Sequence, residues 1–230
     1  MTYPTETRFA DREAAGQALA QKLAELGDLS GAVVLGLPRG GVPVAAEVAR
    51  QLHVPLDVIN VRKLGVPWQP ELAMGAIAEQ DIRILHSKLI QKLDVSPEAL
   101  EAVTDREQAT LARRTAQFRR GHPAPELAQR TVILVDDGLA TGATMEAAIA
   151  AVRKQHPARI IVALPVGPAG TRRHFSALAD DCVCLLEPRN FQAVGQWYQQ
   201  FDQVSDQAVC DLLDTYRTPG HSSIPKPGAT

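Results

Sequence analysis

Between Asp11 and Leu26 the apolar residues Ala14, Ala15, Ala18, Leu19, Leu23 and Leu26 recur at three- and four-residue spacing. That period predicts an amphipathic helix, ended by Gly27. The run 31-GAVVLGLP-38 then predicts a buried strand, 39-RGGV-42 a turn, and 43-PVAAEVARQL-52 a second helix. Residues 56–61, LDVINV, read as another strand. After it, 62-RKLGVPWQPELAMG-75 carries two prolines, two glycines and no period, and reads as a long loop. Short strand-like pieces follow at 76–78 and 82–85. Ser96 as cap, Pro97 as first helical residue and Glu98 in the first turn then start a helix expected to run from about 97 to 120. Its arginines, Arg113, Arg114, Arg119 and Arg120, suit the carboxyl end and read as a solvated face that complements the helix dipole.

Beyond that helix the pattern alternates: strand 131–136, helix from about Gly142 to His156, strand 159–166, helix from about Thr171 to Leu178, strand 182–186. Strands rich in Val, Ile and Leu, separated by helical segments, predict an α/β fold with a doubly wound, mostly parallel sheet covered on both faces. Residues 187–214, with Phe191, Trp197, Tyr198 and Phe201, are expected to form a small C-terminal cap and last helix. Those aromatics read as core, with stacking on a flat ligand as the alternative. One domain over 1–216 accounts for the pattern, and the Pro-, Gly- and Ser-rich stretch 217–230 reads as a disordered tail.

The formal net charge of −2 gives no electrostatic footprint for nucleic acid or an anionic membrane, so an anionic ligand has to be held locally. No apolar run approaches the roughly 20 residues that span a bilayer, and the first residues lack the basic-then-apolar order of a signal peptide. A cytoplasmic protein is expected. Cys182, Cys184 and Cys210 include no CxxC pair, which argues against a zinc site or a disulfide framework. Cys182 and Cys184 are expected on one strand face as small apolar side chains.

In open parallel sheets ligands sit beyond the carboxyl ends of the strands, which singles out three junctions: 37-LPRGG-41, 62-RK-63 and 136-DDGLATGAT-144. Two acids ending a buried strand are costly unless something uses them. The loop Ala140, Thr141, Gly142, Ala143, Thr144 opens a helix, where backbone N–H groups, hydroxyls and the helix dipole can gather a phosphate. It lacks the lysine of a GxxxxGK[ST] loop, which argues against a triphosphate held in that fashion. Asp136 and Asp137, just upstream, can each accept from adjacent ribose hydroxyls. Phosphate plus diol means a ribose 5-phosphate.

The stretch 132-VILVDDGLATGAT-144 resembles the ribose-phosphate signature of type I phosphoribosyltransferases, in which aliphatics, two acids and a small-Thr-Gly-small-Thr loop follow in that order. The stretches 9-FADREAAGQALAQKL-23, 62-RKLGVPWQPELAMGAIAE-79 and 191-FQAVGQWYQQF-201 extend the resemblance to a group of uncharacterised bacterial phosphoribosyltransferases, over nearly all of residues 9–214. Some members of that group are joined to a hydrolase domain, but no GxSxG elbow occurs here.

The resemblance implies transfer of ribose 5-phosphate from 5-phosphoribosyl 1-diphosphate (PRPP) to a nitrogenous base, with Mg2+, release of pyrophosphate and a place in nucleotide metabolism. Asp136 and Asp137 would bind the diol and, through water, the metal, while Ala140, Thr141, Gly142, Ala143 and Thr144 would hold the 5-phosphate. Pro38, Arg39, Gly40 and Gly41, with a cis Pro38–Arg39 peptide, would bind pyrophosphate together with Arg62. Residues 62–75 fall where the family has a mobile flap, whose Lys63 and Arg62 would neutralise or protonate the leaving group. Arg39, Lys63 and Asp137 are then the catalytic candidates, the cap is the family's hood, and a homodimer is a common assembly of the fold.

The acceptor stays open. Ala140 stands where the hypoxanthine-guanine enzymes of the family place an aspartate against the purine, so that scheme is not implied. The small residue is similar to the adenine and orotate branches, although neither hood is recognisable. The alternative is a non-catalytic regulator that binds PRPP or a guanosine polyphosphate; Arg39, Lys63 and the lack of a DNA-reading helix-turn-helix weigh against it. A dinucleotide oxidoreductase fails because no GxGxxG follows the first strand.

Overall fold

The structure is a computed structural model and describes residues 8–217. In chain order its elements are α1 (Arg12–Ala24), β1 (Val33–Gly36), α2 (Gly41–Leu52), β2 (Leu56–Val58), β3 (Val61–Val66), β4 (Gln69–Ala78), β5 (Ile82–Leu85), α3 (Ser87–Lys92) and α4 (Pro97–Arg119). There follow β6 (Thr131–Val135), α5 (Ala143–Arg153), β7 (Arg159–Val166), α6 (Thr171–Phe175), β8 (Asp181–Leu186), a 3-10 turn at Val194–Trp197 and α7 (Asp206–Arg217).

Five strands pair in parallel in the order β2-β1-β6-β7-β8. Alternation along each strand divides the core, because successive side chains point to opposite faces. Val34, Ile133, Val135, Ile161 and Ala163 pack under α1, α2 and α7, whereas Val33, Leu35, Val132, Leu134, Ile160 and Val162 pack under α5, α6 and the antiparallel strands. Both faces are covered, which explains the unbroken apolar runs in the sequence. Cys184 is buried in the second layer and Cys182 packs beside it, on one strand face as the alternation requires.

Helix starts follow their side chains. Asp11 accepts from Ala14 N at 2.8 Å at the head of α1, and Ser96 accepts from Ala99 N at 3.2 Å at the head of α4. At 23 residues α4 is about 35 Å long, and Val103 and Leu111 seat it on Leu64, Val66 and Met74.

Four expectations need correction. Residues 62–75 are not a loop but most of an antiparallel hairpin, β3–β4, which β5 extends to three strands. The prolines lie at and beside the tight turn, and a bulge around Gly65 breaks the alternation that would have revealed the strands. A Cβ at Gly65 would sit 2.4 Å from Pro70 O, so only glycine allows that approach. Residues 56–61 split between two sheets, as β2 and the start of β3. Among the helix-end arginines, Arg113 and Arg120 are exposed, but Arg119 is 7% exposed and bound to Asp57 at 2.6 Å and Glu79 at 2.7 Å. Finally, α7 joins the main core through Val209, Cys210 and Leu213 rather than the cap, and α3 was not foreseen. Of the tail expected at 217–230, Arg217 ends α7 and 218–230 lie outside the described residues.

Candidate active site

Strand order reverses between β1 and β6, and the crevice beyond their carboxyl ends is where open α/β sheets bind ligands. Two of the three marked junctions meet there. Leu37 N donates to Val135 O at 2.9 Å, which ties the end of β1 to the end of β6. The Pro38–Arg39 peptide is cis. Gly40 and Gly41 then turn into α2 against the two acids: a Cβ on Gly40 would fall 2.0 Å from Asp137 Oδ2, and one on Gly41 would fall 2.7 Å from both Val135 O and Asp136 Cα. Side chains at either position would push the two loops apart.

Asp136 and Asp137 do not cap α5, whose N-cap is Gly142. Asp136 Oδ1 accepts from Asp137 N at 2.9 Å, and Asp137 Oδ2 accepts from Arg12 Nε at 2.8 Å. The two carboxyl groups also lie within hydrogen-bonding reach of one another, so that a proton on one would bridge to the other. Burial, and then the charge of Asp137, raise the Asp136 carboxyl well above the ordinary aspartate range. Burial raises Asp137 too, against the pull of Arg12. Two partly buried acids thus share one guanidinium at the switch point.

Arg12 is itself held. Its Nη1 donates to Asp202 O at 2.8 Å, and its guanidinium lies 3.9 Å from the centre of the Phe201 ring. Tyr198 hydroxyl donates to Asp137 O at 2.5 Å, and burial pushes that phenol upward. Trp197 and Tyr198 are buried, packing with Ala15 and Val166, so these two aromatics are core, whereas Phe201 is 37% exposed and faces Arg12.

The phosphate-loop candidates follow directly. Gly142 adopts φ +82°, a left-handed conformation that suits glycine, and no side chain caps α5 there. The first-turn N–H groups of an uncapped helix need an outside acceptor. Thr141 and Thr144 are exposed beside them, with Ala140 also exposed and Ala143 half-buried.

The third junction contributes Arg62 and Lys63 from β3. Arg62 pairs with Glu107 at 2.7 Å and Lys63 with Glu71 at 3.1 Å, while Arg39 stands 3.8 Å from Asp206. Arg62 shares a small cleft with Pro38, Arg114 and Thr144, and a cavity of about 360 Å³ opens between Arg12, Arg39, Gly40, Asp137 and residues 201–204. A larger concavity of about 720 Å³, between α4 and the β4–β5 hairpin, holds none of the residues singled out from the three junctions.

Arg12 is the site residue that sequence reasoning missed. One signal was available: it sits in the first turn of α1, where the helix dipole disfavours a cation and a tertiary partner is needed to explain one.

A parallel α/β sheet with an uncapped helix N-terminus and two partly buried acids at its switch point places these residues where open α/β sheets bind ligands. The chain belongs to the phosphoribosyl transferase domain family, whose model matches residues 8–201. Two Mycobacterium tuberculosis proteins, MT0597 of strain CDC 1551 and Rv0571c of strain H37Rv, whose names describe them provisionally as phosphoribosyl transferases, are each 48% identical to it over 206 residues. That match covers 90% of this chain and 46% of theirs, so the chain spans about half the length of these relatives. The crystal structure of TT1426 from Thermus thermophilus is similar at 43% identity and a TM-score of 0.85, covering 91% of this chain and 99% of that one. No helix among the described residues is long and apolar enough to cross a membrane.

Proposed function

We propose that the protein transfers the 5-phosphoribosyl group of PRPP to a nitrogenous base and releases pyrophosphate. The observation that carries this reading is the pair of partly buried carboxyl groups, on Asp136 and Asp137, that share a single guanidinium beside the uncapped start of α5. Two acceptors next to an anion site match a vicinal diol next to a phosphate.

In the reaction the acceptor nitrogen forms a bond to the anomeric carbon while the bond from that carbon to the diphosphate oxygen breaks. Positive charge develops on the ribose ring, where Asp137, kept in place by Arg12, lies within reach to stabilise it. Negative charge develops on the departing diphosphate, which Arg39, Arg62 and Lys63 neutralise. Arg39 and Lys63 exchange solvent-accessible partners, Asp206 and Glu71, for that anion, and exposed pairs of this kind are worth at most about 1 kcal/mol. Positioning supplies most of the rest.

No cluster of three or more His, Cys, Asp or Glu that could cage a metal occurs among the described residues. The donor set fits Mg2+, which keeps its waters and takes few protein ligands. Asp136 and Asp137 would hold it through water, and its chemistry there is neutralisation of the diphosphate charge.

A phosphorus NMR time course with PRPP, Mg2+ and a panel of purine, pyrimidine and pyridine bases tests the proposal. Pyrophosphate is expected with one base and not in Asp137→Asn. Arg39→Ala and Lys63→Ala should abolish turnover yet leave ribose 5-phosphate binding measurable; normal turnover in both would refute the loop assignments. Substrate resonances that broaden without turnover for any base would replace the enzyme by a PRPP-binding regulator.

A further inference from the structure

We propose that Arg114, on α4 and outside both anion loops, binds the diphosphate of the sugar ligand. This rests on the phosphoribosyl reading above. The position of Arg114 follows from helix geometry. Glu107, Leu111, Arg114 and Phe118 recur at four- and three-residue spacing and lie on one stripe of α4. Glu107 grips Arg62, Leu111 and Phe118 are buried, and Arg114 reaches the cleft that also contains Pro38, Arg62 and Thr144. One side chain therefore borders the pyrophosphate loop, the cation of β3 and the end of the phosphate loop.

Unlike Arg62 and Arg39, Arg114 has no fixed counter-ion. It is half-buried, yet it makes no hydrogen bond or ion pair with any described residue. Burial, followed by the charge of Arg62 and then Arg39, weakens its hold on its proton, with only Asp206 opposing. Arg62 and Arg114 thus line one cleft from β3 and α4, with Arg39 on the adjoining Pro38–Gly41 loop, and the counter-ions of the group are Glu107 on Arg62 and Asp206, 3.8 Å from Arg39. A partly desolvated cation repelled by its neighbouring arginines is a liability in the free protein, and a polyanion at the mouth of the cleft, which itself encloses only about 20 Å³, would remove it. The planar fork of arginine matches phosphate oxygens in pairs. A diphosphate, with more charge than a single phosphate, is the part of the ligand suited to three arginines.

Calorimetric titration of pyrophosphate and, separately, of ribose 5-phosphate into the wild type, Arg114→Gln, Arg114→Lys and Arg113→Gln decides the matter. Arg113 is exposed on the adjacent face and controls for net charge. The expected result is a loss of pyrophosphate affinity of about tenfold or more in Arg114→Gln, as for a hydrogen bond to a charged group. Arg114→Lys should recover part of it, and Arg113→Gln should match the wild type. Ribose 5-phosphate binding should be unchanged in Arg114→Gln, and its thermal midpoint should not fall, because the substitution removes a disfavoured cation. Unchanged pyrophosphate affinity in that variant would overturn the assignment, as would equal loss of both ligands. A wild type that binds neither ligand would overturn the phosphoribosyl reading itself, and this inference with it.

Discussion

Two clusters of acids around an arginine lie in this fold, and they are built to opposite ends. Around Arg119 every carboxylate oxygen has a donor. Asp57 Oδ1 accepts from Val58 N and Oδ2 from Arg119, while Glu79 Oε1 accepts from Asn60 and Oε2 from Arg119. Around Arg12 two aspartates share one guanidinium and lean on one another, and both are driven towards their protonated forms. The first cluster is saturated and clamps α4 to β2 and β4. The second is held in shape by Arg12, Tyr198 and two glycines yet is short of donors, which is what a site for hydroxyl groups requires. Completeness of hydrogen bonding, not charge alone, is what sets the two clusters apart.

Breaking the saturated cluster has the largest expected effect. Arg119→Ala leaves two buried carboxylates uncompensated and should cost about 3–5 kcal/mol in urea unfolding. Gly41→Ala should cost about 1–3 kcal/mol, because its Cβ would fall 2.7 Å from Val135 O and Asp136 Cα, backbone atoms that have to shift; pyrophosphate affinity should fall with it. Asp136→Asn should move stability the other way. The folded protein holds the Asp136 proton more tightly than the unfolded chain does, so stability falls as pH rises from about 4 upward through the raised value. Thermal melts across pH should show that fall in the wild type, a flatter profile in Asp136→Asn and a more stable variant at neutral pH. As a reference, Lys22→Ala removes an exposed pair with Glu25 and should change stability by less than about 1 kcal/mol.

The parallel sheet and the two junctions that meet at its switch point were legible because their signals are local. The strand expected at 159–166 is β7 to the residue, and the PRGG and DDGLATGAT stretches mark the ends of the two strands that flank the switch point. What could not be read depends on distant partners. Arg12 meets Asp137 across 125 positions, and Arg119 meets Asp57 across 62, so an arginine expected in solvent proved to be buried. The β3–β4 hairpin was hidden by its bulge and prolines, which imitate a loop until the strand register is known. Arg114 needed both kinds of information: the stripe along α4 is in the sequence, but the lack of a counter-ion shows only in the fold.

The most direct test of the central claim is a calorimetric titration of ribose 5-phosphate into the wild type and Asp136→Asn. The account predicts saturable binding that Asp136→Asn weakens about tenfold or more while its melting temperature at neutral pH rises. Equal affinity in the two proteins, or no binding by the wild type, would contradict it: the paired carboxyl groups that follow β6 would then serve something other than a ribose diol.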